Sequence, residues 1–283
     1  MGREEKMNIL IKGINYHIEI EGKGPPIICL HGFSESQKTW QGINIAGYTL
    51  IKIDLVGHGT SDKPKDKSYY SVEAIANSLN IIIQHLGIKK CGLMGYSMGG
   101  RIALYFALKY TPLISFLILE SSSYGECNNR KKELRRANDD KLAEQIRENG
   151  INWFEKYWSS LRIFETQLHL PQTVQEKIRL MRISNSEEGL ANILTECGQG
   201  VFPCQYDNLI NLLIPTLYIT GQLDEKYREI GKKIVDKSNF VKLTVIAQCG
   251  HNVHIEKPVE FINAVELFIK ERNDEAYKVG NNQ

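Results

Sequence analysis

The stretch Met94–Arg101, MGYSMGGR, holds a G-x-S-x-G pattern centred on Ser97. An apolar, strand-like run (90–95) precedes it and a helical one (99–109) follows. At such a sharp strand-to-helix turn a serine oxygen projects away from the sheet, and the flanking glycines give room where strand and helix crowd together. A serine hydroxyl is a weak nucleophile and a weak base alone, so a histidine and a carboxylate must complete it. Asp224, in GQLDEK, and His251, in CGHNVH, each follow a strand-like run, in the chain order serine, acid, histidine. We read Ser97, Asp224 and His251 as a catalytic triad. Charge developing on a substrate oxygen also needs donors. The turn His31-Gly32-Phe33 after IICL offers the Phe33 backbone N–H, and the residue after the serine offers that of Met98. His31 is read as bracing this turn and His254 as structural. Asp54 precedes the serine in the chain and is read as a turn brace.

Arg101 poses a separate question. It opens a helix, where a cation faces the positive end of the backbone dipole, so an anion is needed to justify it. Two more arginines meet that need. In ELRRANDDKLAEQI, Arg135 shares a helical line with Leu142 and Ile146 and should face inward, whereas Arg136 should face solvent. In TVQEKIRLMR, Arg182 lies at the edge of the Val174, Ile178 and Met181 face.

The elements that must carry these residues alternate. Strand-like runs at 25–30, 48–57, 90–95, 116–121, 215–221 and 241–248 end in glycine-bearing loops. They alternate with helical patterns at 71–86, 99–109, 227–236 and 259–270. This is the pattern of a mostly parallel sheet flanked by helices, and an initial hairpin (8–22) adds antiparallel strands at one edge. Between 126 and 205 the strand rhythm stops and helical stretches take over. We therefore expect an α/β-hydrolase fold whose core comprises 1–125 and 206–283, with 126–205 inserted as a helical lid over the carboxyl ends of the strands.

Composition sets the remaining bounds. The chain has 283 residues, 42% of them hydrophobic, and a net charge of +2. No global field would recruit nucleic acid or an anionic membrane. The N-terminus has no signal-peptide core and no apolar run approaches a membrane span, so a cytoplasmic protein is expected, a monomer or small homo-oligomer. The six cysteines form no CxxC pair and no zinc-ligand cluster, and are read as reduced, mostly buried thiols. The polar tail from about Lys270 should fray.

Taken together, GYSMGGRIAL, RRANDDKLA followed by a tryptophan, Arg182 seven residues before Gly189-Leu190-Ala191, G-x-x-D-x-K and GH-x-x-H-x-E-x-P carry a resemblance. The sequence resembles the 2-succinyl-6-hydroxy-2,4-cyclohexadiene-1-carboxylate synthase family of menaquinone biosynthesis, from His31 to about Phe268. It departs from the family's words at Cys197–Gly200 and in SSLRIFETQ. The resemblance implies elimination of pyruvate from a substrate with three carboxylates, without a cofactor. Ser97 would serve as the base, activated by His251 and Asp224. Arg101, Arg135 and Arg182 would hold carboxylates, which guanidinium groups bind bidentately. Tyr96, Trp158 and Lys226 would line the pocket. On the triad alone, hydrolysis of small esters or C–C bonds is the alternative, and a non-catalytic receptor is the third.

Overall fold

The computed structural model describes residues 5–280. Met1–Glu4, from the N-terminal segment read above, and the last three residues of the polar tail lie outside that range. Eight strands form one sheet: β1 (Glu5–Ile11), β2 (Ile14–Gly22), β3 (Pro26–Leu30), β4 (Thr49–Ile53), β5 (Cys91–Tyr96), β6 (Ile114–Glu120), β7 (Thr216–Gly221) and β8 (Val241–Ile246). The spatial order is β1-β2-β4-β3-β5-β6-β7-β8. Hairpin β1–β2 turns at Lys12 and Gly13, both at positive φ (51° and 84°), and β2 joins β4 antiparallel. From β4 to β8 every pair is parallel. All six residues of β5 and all six of β7 are buried, as strands covered on both faces require.

Side-chain alternation divides the core. Ile28, Leu30, Leu93, Leu117 and Leu119 face helices α1 (Val72–His85) and α2 (Met98–Lys109). Ile27, Cys29, Met94, Ile118 and Leu217 face Phe261 and Val265 of α8 (Pro258–Gly280). Each fully buried aliphatic side chain contributes about 1.5–3 kcal/mol. Helix α1 starts where Ser71 accepts from the Ala74 N–H and buries Ile75, Leu79 and Ile82, one face at helical spacing. Beyond Lys270, where the sequence reading expected a frayed tail, α8 continues to Gly280. Its seam is pinned there, since Glu271 pairs with Lys242 at 2.6 Å and the Arg272 guanidinium lies 4.9 Å from the Phe116 ring centre.

Between β6 and β7 the chain is helical: α3 (Asn129–Ser159), a 3-10 segment (Arg162–His169), α4 (Gln172–Ile183) and α5 (Glu187–Cys197). Helix α3 breaks at Gly150 (φ 80°), and Glu187 accepts from the Ile151 N–H at 3.1 Å, capping the second half. Leu142, Ile146, Phe154, Leu190 and Leu194 form the insertion's own small core. After β7 come α6 (Glu225–Lys237) and the short α7 (Val253–Glu256), the latter absent from the sequence reading.

One expectation is overturned at the root of the insertion. Cys127 and Cys204 form a disulfide, with Cα atoms 5.1 Å apart and a sequence separation of 77. Spacing could not reveal it, because the pair meets only when the two ends of the insertion are folded side by side. The Gln205 N–H donates to the Tyr124 carbonyl at 2.7 Å, and Gly125 (φ +91°) lets the chain pass close to Pro203. Cys29, Cys91, Cys197 and Cys249 are free and buried, and burial pushes the first three thiols up to about 12. Replacing Cys127 and Cys204 together by serine should lower the unfolding free energy by about 2–4 kcal/mol, the typical contribution of a disulfide. Guanidinium titration with and without the substitutions checks it.

Candidate active site

Three loops at the carboxyl ends of strands converge. Ser97 sits between β5 and α2 at φ 49°, a conformation costly for a residue with a side chain. A Cβ on Gly95 would press on the Gly99 carbonyl, and one on Gly99 on the Leu30 carbonyl, so the elbow excludes larger residues. Asp224 follows β7 and accepts from the Tyr227 N–H at the start of α6. His251 follows β8. Its Nδ1 lies 2.6 Å from Asp224 Oδ2 and its Nε2 lies 3.1 Å from Ser97 Oγ. Both His251 and Asp224 are buried. With Asp224 accepting a hydrogen bond from Nδ1–H, Nε2 is left as the acceptor for the serine.

Met98 is the first residue of α2, where N–H groups have no partner within the helix. The Phe33 N–H has no acceptor among the described residues. Phe33 and Met98 line the same cavity as Ser97, about 560 Å³ in volume. The turn carrying Phe33 is braced from behind. The Leu55 N–H donates to His31 Nε2 at 3.0 Å, which leaves His31 Nδ1 to donate to the Gly32 carbonyl at 2.7 Å. Asp54 accepts from the Gln37 and Thr60 N–H groups at 2.6 and 2.8 Å. His254 is fully buried against Glu120 at 2.7 Å. All three are therefore bracing groups, as read from the sequence.

Burial holds His31 and the adjacent His58 below the usual histidine range. Their rings lie 4.9 Å apart, and His58 Nε2 has no hydrogen-bond partner among the described residues. Below pH 6.5 the unfolded chain binds protons that these folded histidines refuse. Their contribution to stability is thus complete above pH 6.5 and is lost as pH falls beneath it. Over pH 6.5 to 5, the unfolding free energy of the wild type should fall more steeply than that of His58→Asn, by up to one proton or about 1.4 kcal/mol per pH unit. Urea titrations across that range measure the difference.

The cations are distributed unevenly. Arg101 lines the cavity and is only 6% exposed. Its guanidinium reaches the Cys197 carbonyl at 3.4 Å and lies 5.5 Å from the Phe202 ring centre, while its Nε has no partner among the described residues. No carboxylate among the described residues forms an ion pair with it, and burial lowers its pKa. Arg135 also lines the cavity, held through Nε by Asp139 Oδ1 at 2.8 Å; Arg136 faces solvent. Asp139 was not singled out from the sequence, although RRAND places it four residues after Arg135, within reach on one helical face. It is buried, it accepts from the Gly200 N–H, and burial raises its pKa. Lys141, also missed, lines the cavity.

Trp158 and Lys226 line this cavity too. Trp158 packs edge-on to Phe33 with ring centres 5.0 Å apart. Tyr96 does not line it: its ring is wedged behind the triad, 5.4 Å from the His251 ring and 5.2 Å from that of His254. Arg182 does not line it either. It is 3% exposed, donates to Ser159 Oγ and Gln167 Oε1 at 2.6 and 3.1 Å, and stacks 4.7 Å from the Phe164 ring centre. It borders a neighbouring cavity of about 680 Å³, with Phe164 as the shared wall.

Residues 25–258 match the family model of the alpha/beta hydrolase fold. A Bacillus subtilis (strain 168) protein, provisionally named 2-succinyl-6-hydroxy-2,4-cyclohexadiene-1-carboxylate synthase, is 34% identical over 268 residues, covering 93% of this chain and 98% of its own. The chain belongs to the 2-succinyl-6-hydroxy-2,4-cyclohexadiene-1-carboxylate synthase family. The structure of MenH from S. aureus superposes on this synthase-family chain with a TM-score of 0.86 at 33% identity, covering 91% of it and 98% of the S. aureus chain. A thermophilic esterase from Thermogutta terrifontis, with malate bound, reaches 0.80 at 27% identity, with 94% and 98% covered. The fold thus extends beyond the synthase family, and the arginines matter more than the fold in choosing a reaction.

Proposed function

We propose that this chain eliminates pyruvate from 2-succinyl-5-enolpyruvyl-6-hydroxy-3-cyclohexene-1-carboxylate, giving 2-succinyl-6-hydroxy-2,4-cyclohexadiene-1-carboxylate. The observation that carries the proposal is Arg101: a buried guanidinium without a carboxylate partner, facing the cavity of Ser97. A desolvated cation is costly unless an anion completes it, and a carboxylate substrate supplies one. Arg135 adds a second cation on the lid side of the cavity, with its Nε already engaged by Asp139.

In the proposed reaction Ser97 Oγ takes a ring proton as its own proton passes to His251 Nε2. The C2–H electron pair becomes the C2=C3 bond, the ring's C3=C4 pair shifts to C4=C5, and the C5–O bond to the enolpyruvyl group breaks. The departing enolate is protonated at carbon and leaves as pyruvate. Asp224 stabilises the imidazolium, and the Phe33 and Met98 N–H groups stabilise charge building on a substrate oxygen. No acyl-enzyme forms. Arg182 can join the carboxylate site only if Phe164 moves from between the two cavities.

Pyruvate release from the enolpyruvyl substrate tests the proposal. Release well above the spontaneous rate is expected. Folded protein that gives only the spontaneous rate, yet shows a burst with activated esters, would instead be a serine hydrolase.

A further inference from the structure

Glu35 is a carboxyl 4% exposed, in the loop just after the oxyanion turn, and the reaction described above gives it no task. Its Oε2 accepts from the Gly32 N–H at 3.3 Å, within that turn. Its Oε1 accepts from Asn252 Nδ2 at 3.0 Å, in the residue after His251. Its third contact is the Thr39 side chain. Thr39 Oγ1 lies 2.6 Å from His254 Nε2, and His254 Nδ1 lies 2.7 Å from Glu120 Oε2. Behind the triad there is thus a second buried chain of polar groups, running Glu120, His254, Thr39, Glu35, and ending on the two segments that carry the oxyanion donor and the catalytic histidine.

Each of those two segments is also held separately by contacts of its own. Gly32 sits against the Tyr96 ring, where a Cβ would meet ring carbons at 2.7 Å and Glu35 Oε2 at 3.4 Å. The His251 loop is held on its far side by Glu256, which accepts from the Gly250 and Asn252 N–H groups at 2.7 and 3.3 Å. Glu35 is the side chain that spans from one segment to the other. We propose that Glu35 is a positioning residue, setting the spacing between the Phe33 oxyanion donor and His251 by holding Gly32 and Asn252 at once. This rests on the reading of Ser97 and His251 as catalytic. Oxyanion donors act at about 2.7–3.1 Å from an oxygen that carries charge only in the transition state. Loosening the turn should therefore lower kcat and leave KM nearly unchanged.

The conservative variant has a built-in rescue. Asn252 Oδ1 is buried without a partner among the described residues, so its amide can turn over to accept from the Nε2 of a glutamine at 35, while the glutamine oxygen keeps the Gly32 contact. Steady-state kinetics on pyruvate release and on a neutral p-nitrophenyl ester test the proposal. Glu35→Ala should lower kcat about 10- to 100-fold in both reactions with KM within about threefold, a part of the ~100- to 1000-fold that losing one donor costs. Glu35→Gln should stay within about threefold of wild type. The double variant Glu35→Ala/Asn252→Ala should be no slower than the worse single variant, because the two side chains act as one unit. Wild-type kcat in Glu35→Ala, a loss confined to KM, Glu35→Gln as slow as Glu35→Ala, or additive losses would each overturn it. If Glu35→Ala does not fold, Asn252→Ala is read instead: the same fall in kcat supports the proposal, and wild-type kcat overturns it. Failure of the underlying reading looks different, since the wild type itself would then turn over neither substrate.

Discussion

Arg101→Ala is expected to lower kcat/KM for the enolpyruvyl tricarboxylate by about 100- to 1000-fold, roughly 3–4 kcal/mol, with the fold intact. The loss is large because the guanidinium is already desolvated and holds only a long contact to the Cys197 carbonyl. In the bound state a carboxylate would gain a charge-assisted, two-pronged partner without the protein first giving up an ion pair. The fold is spared for the same reason: no described carboxylate loses its counter-ion when Arg101 is removed, and a costly buried charge disappears with it. Thermal unfolding should shift little, apart from the lost packing of the side-chain stem. Arg101→Lys should recover only part of the activity, because an ammonium cannot present the planar fork. Hydrolysis of a neutral ester should be nearly unaffected in both variants. An equal loss on the neutral ester would place Arg101 in the framework of the site and not in its anion pocket.

What the sequence made legible was whatever depends on position along a strand or on one helix. Ser97, Asp224 and His251 each end a strand of a parallel sheet, so their meeting follows from topology, and the 2.6 and 3.1 Å contacts are what that order requires. Arg101 lies one helical turn beyond Ser97 and shares its cavity for that reason. The misplacements involve contacts between elements that no helical periodicity encodes. Arg182 was set at the rim of α4 by its angular position, but α4 packs against Ser159, Gln167 and Phe164, and these cover its guanidinium. Tyr96 adjoins the nucleophile in sequence, yet alternation along β5 turns it to the opposite face of the sheet, toward His254. The Cys127–Cys204 bridge depends on two chain segments meeting across a 77-residue excursion. Asp139 reads in sequence as half of a surface ion pair, and only the docking of the Gly198–Gly200 turn against α3 buries it.

The largest effect is expected at Ser97. Ser97→Ala should lower kcat for pyruvate release by about 10⁴-fold or more, above roughly 5 kcal/mol, the scale on which members of such triads act. The loss is expected even though the proposed reaction forms no acyl-enzyme, because in it the hydroxyl, 3.1 Å from His251 Nε2, relays the substrate's proton to the imidazole, and alanine removes that relay. Asp224→Asn should fall by a comparable factor through a different fault, since an amide does not hold the Nδ1 proton and Nε2 is no longer kept free to accept. A third substitution separates strain from chemistry. Ser97 is held at φ 49°, which glycine adopts without penalty, so Ser97→Gly should be as inactive as Ser97→Ala yet more stable than it, by ~1 kcal/mol. Thermal and urea unfolding of the two inactive proteins measures this difference directly. A glycine variant no more stable than the alanine one would mean that the elbow stores no strain for the hydroxyl to exploit, and that Ser97 is aimed by its contact with His251 alone.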